Sequence, residues 1–365
     1  MDIVHIVLGK ANPNRMNGVN KVVYQLASKQ ADAGKNVEVW GITDDVMHNY
    51  GERNFTTRLF KKQSNPFAIS KDLAKDIANA QNTVFHIHGG WIPTFYTIVK
   101  LTKKHKKTAV ITPHGAYNTI AMEKNKWFKR AYFFLFEKPL LQSVKKIHCI
   151  GKSEKDGLLK IYPNTKQVVI PYGFEFNPKI IAKNDNSEFT VGFVGRIDIF
   201  TKGLDLLTAA FSRFTKDKNA KLWIVGDSNE MPALKQRVNQ LSLNNSTRLY
   251  GSKFGEEKDS LIQQMDVFTH PSRNEGLPTA VLEAASFGIP SIVTKATNVA
   301  EYINKYNAGI AIQNNSVDSL TAALDKLYNI WKMKKLSSYA ENSRKMLNQE
   351  FNWGQIVTQF DGIYS

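Results

Sequence analysis

The 365-residue chain is 42% hydrophobic and 22% charged, which suits a folded globular protein and argues against disorder. That length suits two domains, and no apolar run approaches the roughly 18–20 residues of a membrane-spanning helix. The formal charge of +17 is lopsided, with 27 Lys and Arg against 12 Asp and Glu in residues 1–173 and 22 against 20 in the remainder.

A field confined to one half marks that half as the part that meets something anionic, whether nucleic acid, a lipid surface or a phosphorylated substrate. The plain alternative is solubility charge on lysine-rich surfaces. The single Cys149 cannot form an internal disulfide, in keeping with a reducing cytoplasm.

The chain opens on Met1-Asp2-Ile3-Val4-His5, which reads as a strand and not as a signal peptide. Short β-rich apolar runs occupy residues 3–8, 37–42, 83–88, 109–113, 146–150 and 168–171. A second series occupies residues 190–194, 222–225, 248–251, 267–270, 291–294 and 310–312. The spacers carry helical periodicity, as in Val22, Val23, Leu26 and Ala27 ahead of a stop at Gly34. Such alternation implies an α/β protein with helices on both faces of parallel sheets. Two series imply two Rossmann-like domains, 1–176 and 177–350, joined by the polar stretch 177–188, which is also the expected hinge. Parallel sheets bind ligands at the carboxyl ends of their strands, so two facing sheets would offer a cleft between domains.

In the first half, Asn17-Gly18-Val19 lies between the first strand and a helix. His86-Ile87-His88-Gly89-Gly90-Trp91 ends the third run. Alternation puts His86 and His88 on one face, with His88 nearer the carboxyl end and better placed to face the cleft. Metal binding by this pair lacks a convincing third ligand. Thr112-Pro113-His114-Gly115-Ala116-Tyr117 ends the next run, where His114 either meets an acceptor, supports His88 or is structural. The segment 124–146 is aromatic and basic together. It reads as two helices whose aromatics are mostly core, or as a surface that docks on anionic lipid, aided by Lys103, Lys104, Lys106 and Lys107.

In the second half, Gly195-Arg196 closes a strand and Lys202-Gly203 precedes a helix. Two cations and free backbone N–H groups at such a turn suit a diphosphate. The densest stretch runs from His270 to Ala284. A strand ends in Pro271-Ser272, a turn carries Glu275-Gly276, and a helix begins with Pro278 expected at its first position. The N–H groups from Leu277 through Thr279 then favour an anion. Glu283 suits two adjacent ribose hydroxyls, and Glu275 suits sugar hydroxyls or positive charge at an anomeric carbon.

The pattern Pro271-Ser272-x2-Glu275-Gly276-x-Pro278-x4-Glu283-Ala284 with Gly288-x-Pro290 resembles the retaining glycosyltransferases of family GT4. That resemblance implies the GT-B fold, two Rossmann-like domains facing across a cleft, and transfer from a UDP- or GDP-linked sugar to a saccharide or lipid-linked acceptor. Pro113-His114-Gly115 resembles a Pro-His-Gly element of the bacterial surface-polysaccharide members of that family. The family resemblance further implies that Arg196, Lys202, Gly18, Gly195, Leu277, Pro278 and Thr279 hold the diphosphate and Glu283 the ribose. Leu249 and Tyr250 would border the base, Glu275 and His88 would be catalytic, and His114 and Trp91 would meet the acceptor. Asn17 stands where a second glycine is common, and Tyr172 stands where an Asn is usual. The segment 351–365 resembles the last helix of the family, which crosses back onto the first domain. No Asp-x-Asp occurs in the sequence, which argues against a metal-bridged diphosphate, and no cofactor is expected. A cytoplasmic enzyme peripheral on the inner membrane face is the implied setting. The rival readings are another GT-B enzyme, such as a sugar phosphorylase or a starch-synthase-like protein, and a basic nucleic-acid-binding protein. Nucleic acid is not the expected partner, because no binding module is recognisable.

Overall fold

The computed structural model describes residues 1–12, 18–118, 126–175, 188–313 and 315–365, apart from the side chains of Lys126 and Phe128. Asn17 and nearly all of the expected hinge, residues 177–187, lie outside them. Two compact units form: Met1–Gly173 with Trp353–Ser365, and Phe174–Asn352.

Unit 1 contains β1 (Asp2–Leu8), α1 (Gly18–Asp32), β2 (Val37–Thr43), β3 (Thr56–Lys61), α2 (Lys71–Asn79), β4 (Thr83–His88), α3 (Pro93–Lys104) and β5 (Thr108–Thr112). After these come α4 (Lys126–Tyr132), a π-helical turn (Phe133–Glu137), α5 (Lys138–Ser143), β6 (Lys146–Cys149), α6 (Lys152–Ile161) and β7 (Gln167–Val169). The seven strands are parallel in the order β3-β2-β1-β4-β5-β6-β7. Central strands covered on both faces read as continuous apolar runs, and Ile6, Phe85, Ile87 and Ile111 are fully buried in this core. β3 is not among the expected strands. It is an edge strand whose Thr-Thr-Arg-Leu-Phe-Lys sequence buries only Phe60, so it carries little apolar signal.

Unit 2 contains β8 (Phe189–Val194), α7 (Leu204–Phe214), β9 (Ala220–Val225), α8 (Met231–Gln240), β10 (Thr247–Leu249), α9 (Gly255–Gln263), β11 (Val267–His270) and α10 (Thr279–Ser286). It continues with β12 (Ser291–Thr294), α11 (Ala300–Tyr306), β13 (Gly309–Ile312), α12 (Val317–Lys332) and α13 (Ser337–Glu350). Its six parallel strands run in the order β10-β9-β8-β11-β12-β13. β8 and β11 are neighbours although a crossover of two strands separates them in sequence, and this juxtaposition builds the site described below.

The last helix, α14 (Trp353–Tyr364), belongs to unit 1. The switch is sharp. Phe174 donates its N–H to the Phe351 carbonyl within unit 2, while Trp353 lies so close over Gly173 that any side chain at 173 would strike the indole. The aromatic and apolar face of α14, with Ile356, Val357, Phe360 and Tyr364, is buried.

Candidate active sites in the two units

In unit 2 the loops leaving β8 and β11 lie side by side because their strands pair. Gly203 caps α7 in the left-handed region, at φ 68°, and a Cβ there would run into the Pro271 carbonyl. Glycine at this position therefore lets the loops touch. The Arg273 N–H donates to Thr201 O at 2.8 Å, and its guanidinium holds Asp205 by two 2.8 Å bonds, a bidentate pair that stitches one loop to the other.

This stitching brings Lys202 into an ion pair with Glu275. The same carboxylate oxygen of Glu275 lies 2.8 Å from His270 Nε2 and accepts from Ser272 Oγ at 3.1 Å. Burial alone would raise the Glu275 pKa, but His270 and Lys202 outweigh it and hold the carboxyl at about 2. His270 is sandwiched between Phe193 and Phe268, with ring centroids 5.6 and 6.2 Å away and planes within 9° of parallel. Asn298 fixes the turn by donating to the Glu275 carbonyl at 2.9 Å and the Gly276 carbonyl at 2.6 Å.

Pro278 is the residue before the helix, and α10 begins at Thr279, one position later than its sequence suggests. The proline ring fixes φ at −76° while ψ stays extended at 98°, so Pro278 turns the chain into the helix without joining it. Leu277 is half-buried, Pro278 buried and Thr279 exposed. Glu283 pairs with Lys258 of α9 at 2.7 Å. Arg196 is well exposed and lies 3.5 Å from Asp198. Gly195 needs no unusual backbone itself, but its carbonyl is where a Cβ on Gly226 would collide. Leu249 and Tyr250 follow β9 across the sheet edge, with Tyr250 beside Trp223 and under the Arg248 guanidinium at 4.9 Å.

In unit 1, Gly18 opens α1 with open space where a side chain would stand. His86 and His88 stand on one face of β4, with ring centroids 4.1 Å apart. β1 pairs with β4 so that His5 lies beside His86, which supplies the third imidazole that the sequence does not reveal. Ring nitrogens of His5, His86 and His88 lie within 4.8 Å of one another. Each is engaged in a hydrogen bond instead of being left open for a cation. His88 Nε2 meets His5 Nδ1 at 2.9 Å, and His5 Nε2 meets Gln30 Oε1 at 2.7 Å. Gln30 donates to the Tyr364 hydroxyl at 3.1 Å, and that hydroxyl meets His86 Nδ1 at 2.8 Å. His86 Nε2 meets Thr112 Oγ1 at 2.6 Å, Thr112 meets His148 Nδ1 at 2.7 Å, and His148 Nε2 meets the Ile170 carbonyl at 2.7 Å.

The expectation that His88 faces a cleft is corrected here. His88 is only 1% exposed, because the loop after β5 folds over the strand end and places His114 above it, with His114 Nε2 3.1 Å from His88 Nδ1. His114 is the member that reaches the surface, in part, from a left-handed backbone at φ 57°. Tyr172 stacks on it, with ring centroids 5.8 Å apart and planes at 18°. The buried Glu154 carboxylate receives the N–H of Gly115 at 2.5 Å and holds the loop from below. Desolvation lowers the pKa of His5 and His148 to about 4 and of His114 to about 3, and keeps His86 and His88 well below the ordinary value. The five imidazoles are neutral at neutral pH. Trp91 is also left-handed, at φ 62°. Its N–H donates to Glu137 at 3.1 Å and its indole to the Ala116 carbonyl at 3.0 Å. Tyr117 donates to the same Glu137, whose carboxyl burial pushes up to about 7.

His5, Gln30, Tyr364, Lys258 and Asn298 carry no motif of their own and escape a reading of the sequence, because each meets its partner from a distant part of the chain. His270 opens the acid-bearing stretch, but its contact with Glu275 is not legible from spacing.

The 124–146 segment divides between the two readings. Phe133 is buried, whereas Trp127, Phe134 and Leu135 are 79%, 58% and 64% exposed, beside Lys129, Arg130 and Lys138. Among the described residues no helix is long and apolar enough to cross a membrane.

The chain matches two family models: "Glycosyltransferase Family 4" over residues 16–177 and "Glycosyl transferases group 1" over residues 174–346. It is 24% identical to a GDP-mannose:cellobiosyl-diphosphopolyprenol alpha-mannosyltransferase of Xanthomonas campestris, over 100% of this chain and 96% of that protein. Among solved structures it is similar to a sucrose-phosphate synthase from Thermosynechococcus elongatus, with a TM-score of 0.75 at 16% identity, covering 100% of this chain and 98% of that one. It is also similar to Anabaena HepE in complex with UDP and glucose, with a TM-score of 0.72 at 15% identity, covering 99% of this chain and 98% of that one. Two parallel-sheet units, the acid-bearing loop after β11 and these two matched regions place the chain among the GT4-like glycosyltransferases of the GT-B fold.

Proposed function

We propose that this glycosyltransferase moves a sugar from a UDP- or GDP-linked donor to a hydroxyl of a saccharide or lipid-linked glycan in surface polysaccharide biosynthesis. The anomeric configuration is retained and no metal is used. The observation that carries this reading is the convergence of Lys202, His270 and Ser272 on one Glu275 carboxylate, beside the N-terminus of α10. A carboxylate held anionic there accepts sugar hydroxyls and faces the positive charge that develops as the anomeric bond breaks. Arg196, Lys202 and the first N–H groups of α10 meet the departing diphosphate. Glu283 takes the ribose hydroxyls, Leu249 and Tyr250 border the base, and Gly18, His114 and Trp91 serve from the first domain.

The relatives support this in kind. The Xanthomonas enzyme is named for GDP-mannose and a diphosphopolyprenol acceptor, and the Anabaena protein holds UDP and glucose. A lipid-linked acceptor also suits the exposed Trp127, Phe134 and Leu135 among basic residues, which we read as a peripheral docking face for anionic lipid on the cytoplasmic side.

Thermal shifts with UDP, GDP, ADP and an oligonucleotide test the donor reading. One nucleoside diphosphate raises Tm, and the rise disappears in Arg196→Ala/Lys202→Ala. Salt-sensitive oligonucleotide binding with no nucleotide response overturns it in favour of a nucleic-acid-binding protein.

A further inference from the structure

The buried side chains of unit 1 form one unbroken hydrogen-bonded series. It begins at the Ile170 carbonyl and passes through His148, Thr112, His86, Tyr364, Gln30, His5 and His88 to His114. It draws on β6, β5, β4, α14, α1 and β1, and only its last member reaches the surface.

The two ends are unlike. A carbonyl only accepts, so His148 must donate from Nε2–H, and a neutral imidazole then has only a lone pair on Nδ1. Thr112 therefore donates its O–H to His148 and accepts from His86 Nε2–H. His86 Nδ1 must accept, so the Tyr364 O–H points at it, and the phenol oxygen accepts from the Gln30 amide. The Gln30 oxygen accepts from His5 Nε2–H, His5 Nδ1 from His88 Nε2–H, and His88 Nδ1 from His114 Nε2–H. Every bond is satisfied in this one direction. Reversing it would set a His148 lone pair against the Ile170 lone pair at 2.7 Å, or would require a buried imidazolium.

We propose that this series is a one-way hydrogen-bond wire that holds all five imidazoles in the Nε2–H tautomer and leaves Nδ1 of His114 as the lone pair offered to the acceptor hydroxyl. Tyr364 and Gln30 are its positioning residues. The last step, from His114 to an acceptor, rests on the transferase reading, whereas the tautomers do not. The role of α14 is then chemical as well as structural: its last residue, Tyr364, links His86 to Gln30, and Gln30 transmits the direction of the series to His5. Three imidazoles drawn together in this way would otherwise suggest a metal, but a cation on their nitrogens would break the bonds that order the series.

Long-range proton–nitrogen correlation spectra of the full chain labelled with ¹⁵N-histidine read each tautomer directly. His5, His86, His88, His114 and His148 are expected to show a protonated Nε2 and a bare Nδ1. In Tyr364→Phe, His148 and His86 keep that form because the carbonyl still anchors them. The Gln30 amide is freed to turn over, so His5, His88 and His114 become tautomer mixtures, and turnover of a sugar nucleotide falls about tenfold with the donor KM unchanged. Thr112→Val cuts the series one step after its anchor and is a second, near-isosteric variant. There only His148 keeps a single tautomer. An Nδ1–H form at any of the five rings in the unaltered protein overturns the wire, as does an unchanged spectrum in either variant or one equivalent of zinc by native mass spectrometry. Correct tautomers without turnover of any sugar nucleotide leave the wire standing and remove the transferase reading of its end.

Discussion

His270 Nε2 lies 2.8 Å from a Glu275 carboxylate oxygen that Lys202 also grips, although Lys202 and Glu275 are 73 positions apart in the chain. The carboxyl is held at about 2 against an ordinary 4.5, so its contribution to stability is fully present above about pH 4.5. It is lost as pH falls toward 2, because the unfolded chain binds the proton first. A shift of this size corresponds to about 3 kcal/mol. Urea unfolding at pH 6 and pH 3 should show the protein losing about 2 kcal/mol more stability on acidification than Glu275→Gln does, the remainder being lost only below pH 3. Equal losses in both proteins would falsify the ion-pair account.

Glu283 is paired with Lys258 at 2.7 Å and stands on the second turn of α10. If it holds the ribose, Glu283→Gln weakens nucleoside-diphosphate binding by about tenfold, or ~1.4 kcal/mol. The contrast lies in the sugar. Calorimetry with a 2′,3′-dideoxynucleoside diphosphate should give the same Kd for both proteins, since the hydroxyls in question are missing. A persistent tenfold gap with the dideoxy ligand assigns the effect to the helix and not to the ribose.

Gly203 sits at φ 68° with the Pro271 carbonyl where a Cβ would go. Gly203→Ala adds the left-handed penalty of about 1–2 kcal/mol and forces the two loops apart. We expect a loss of at least ~2 kcal/mol in unfolding free energy together with loss of the nucleotide-induced Tm shift, because Lys202 leaves Glu275. Gly18→Ala is the control: nothing lies within 4 Å of a Cβ there, so the fold should be indifferent to it. A Gly203→Ala protein as stable as the parent would show that loop contact is not required.

Trp127, Phe134 and Leu135 are exposed in a half of the chain that carries 27 basic against 12 acidic residues. Vesicles of phosphatidylglycerol and phosphatidylcholine should pellet the protein, and raising salt from 0.1 to 0.5 M should release most of it. Replacing all three residues by Ser should lower pelleting severalfold without lowering Tm, since none of them is core. Pelleting that is unchanged in the triple variant places the lipid contact elsewhere.

Much of the architecture is written in local pattern. Alternation of short apolar runs with helical spacers gives the strands of both sheets, and all six expected strands of unit 2 are present. The exception, β3, is a polar edge strand with one buried residue, too weak to register. The run from Pro271 to Pro290 is legible for a similar reason: its turn, its acids and its helix start are consecutive, so their chemistry is a matter of spacing. The units as found divide at Gly173 and Asn352, where the polar stretch 177–188 and the resemblance of 351–365 to the family's last helix point to 176 and 350, since packing of Trp353 on Gly173 sets the crossing and leaves no mark on composition.

Fold class, family resemblance and the acid-bearing loop are thus legible along the chain, because each depends on residues close together in it. Tertiary structure alone decided which groups touch. The β8–β11 pairing sets Lys202 on Glu275, the β1–β4 register sets His5 beside His86, and the return of α14 sets Tyr364 between His86 and Gln30. Those partners are separated by 73, 81 and 278 or more positions, and strand order and register, not local propensity, bring them within hydrogen-bonding distance or ring contact. His88, the histidine that strand alternation favours, is therefore the one that packing hides, and His114 is the one it leaves in reach.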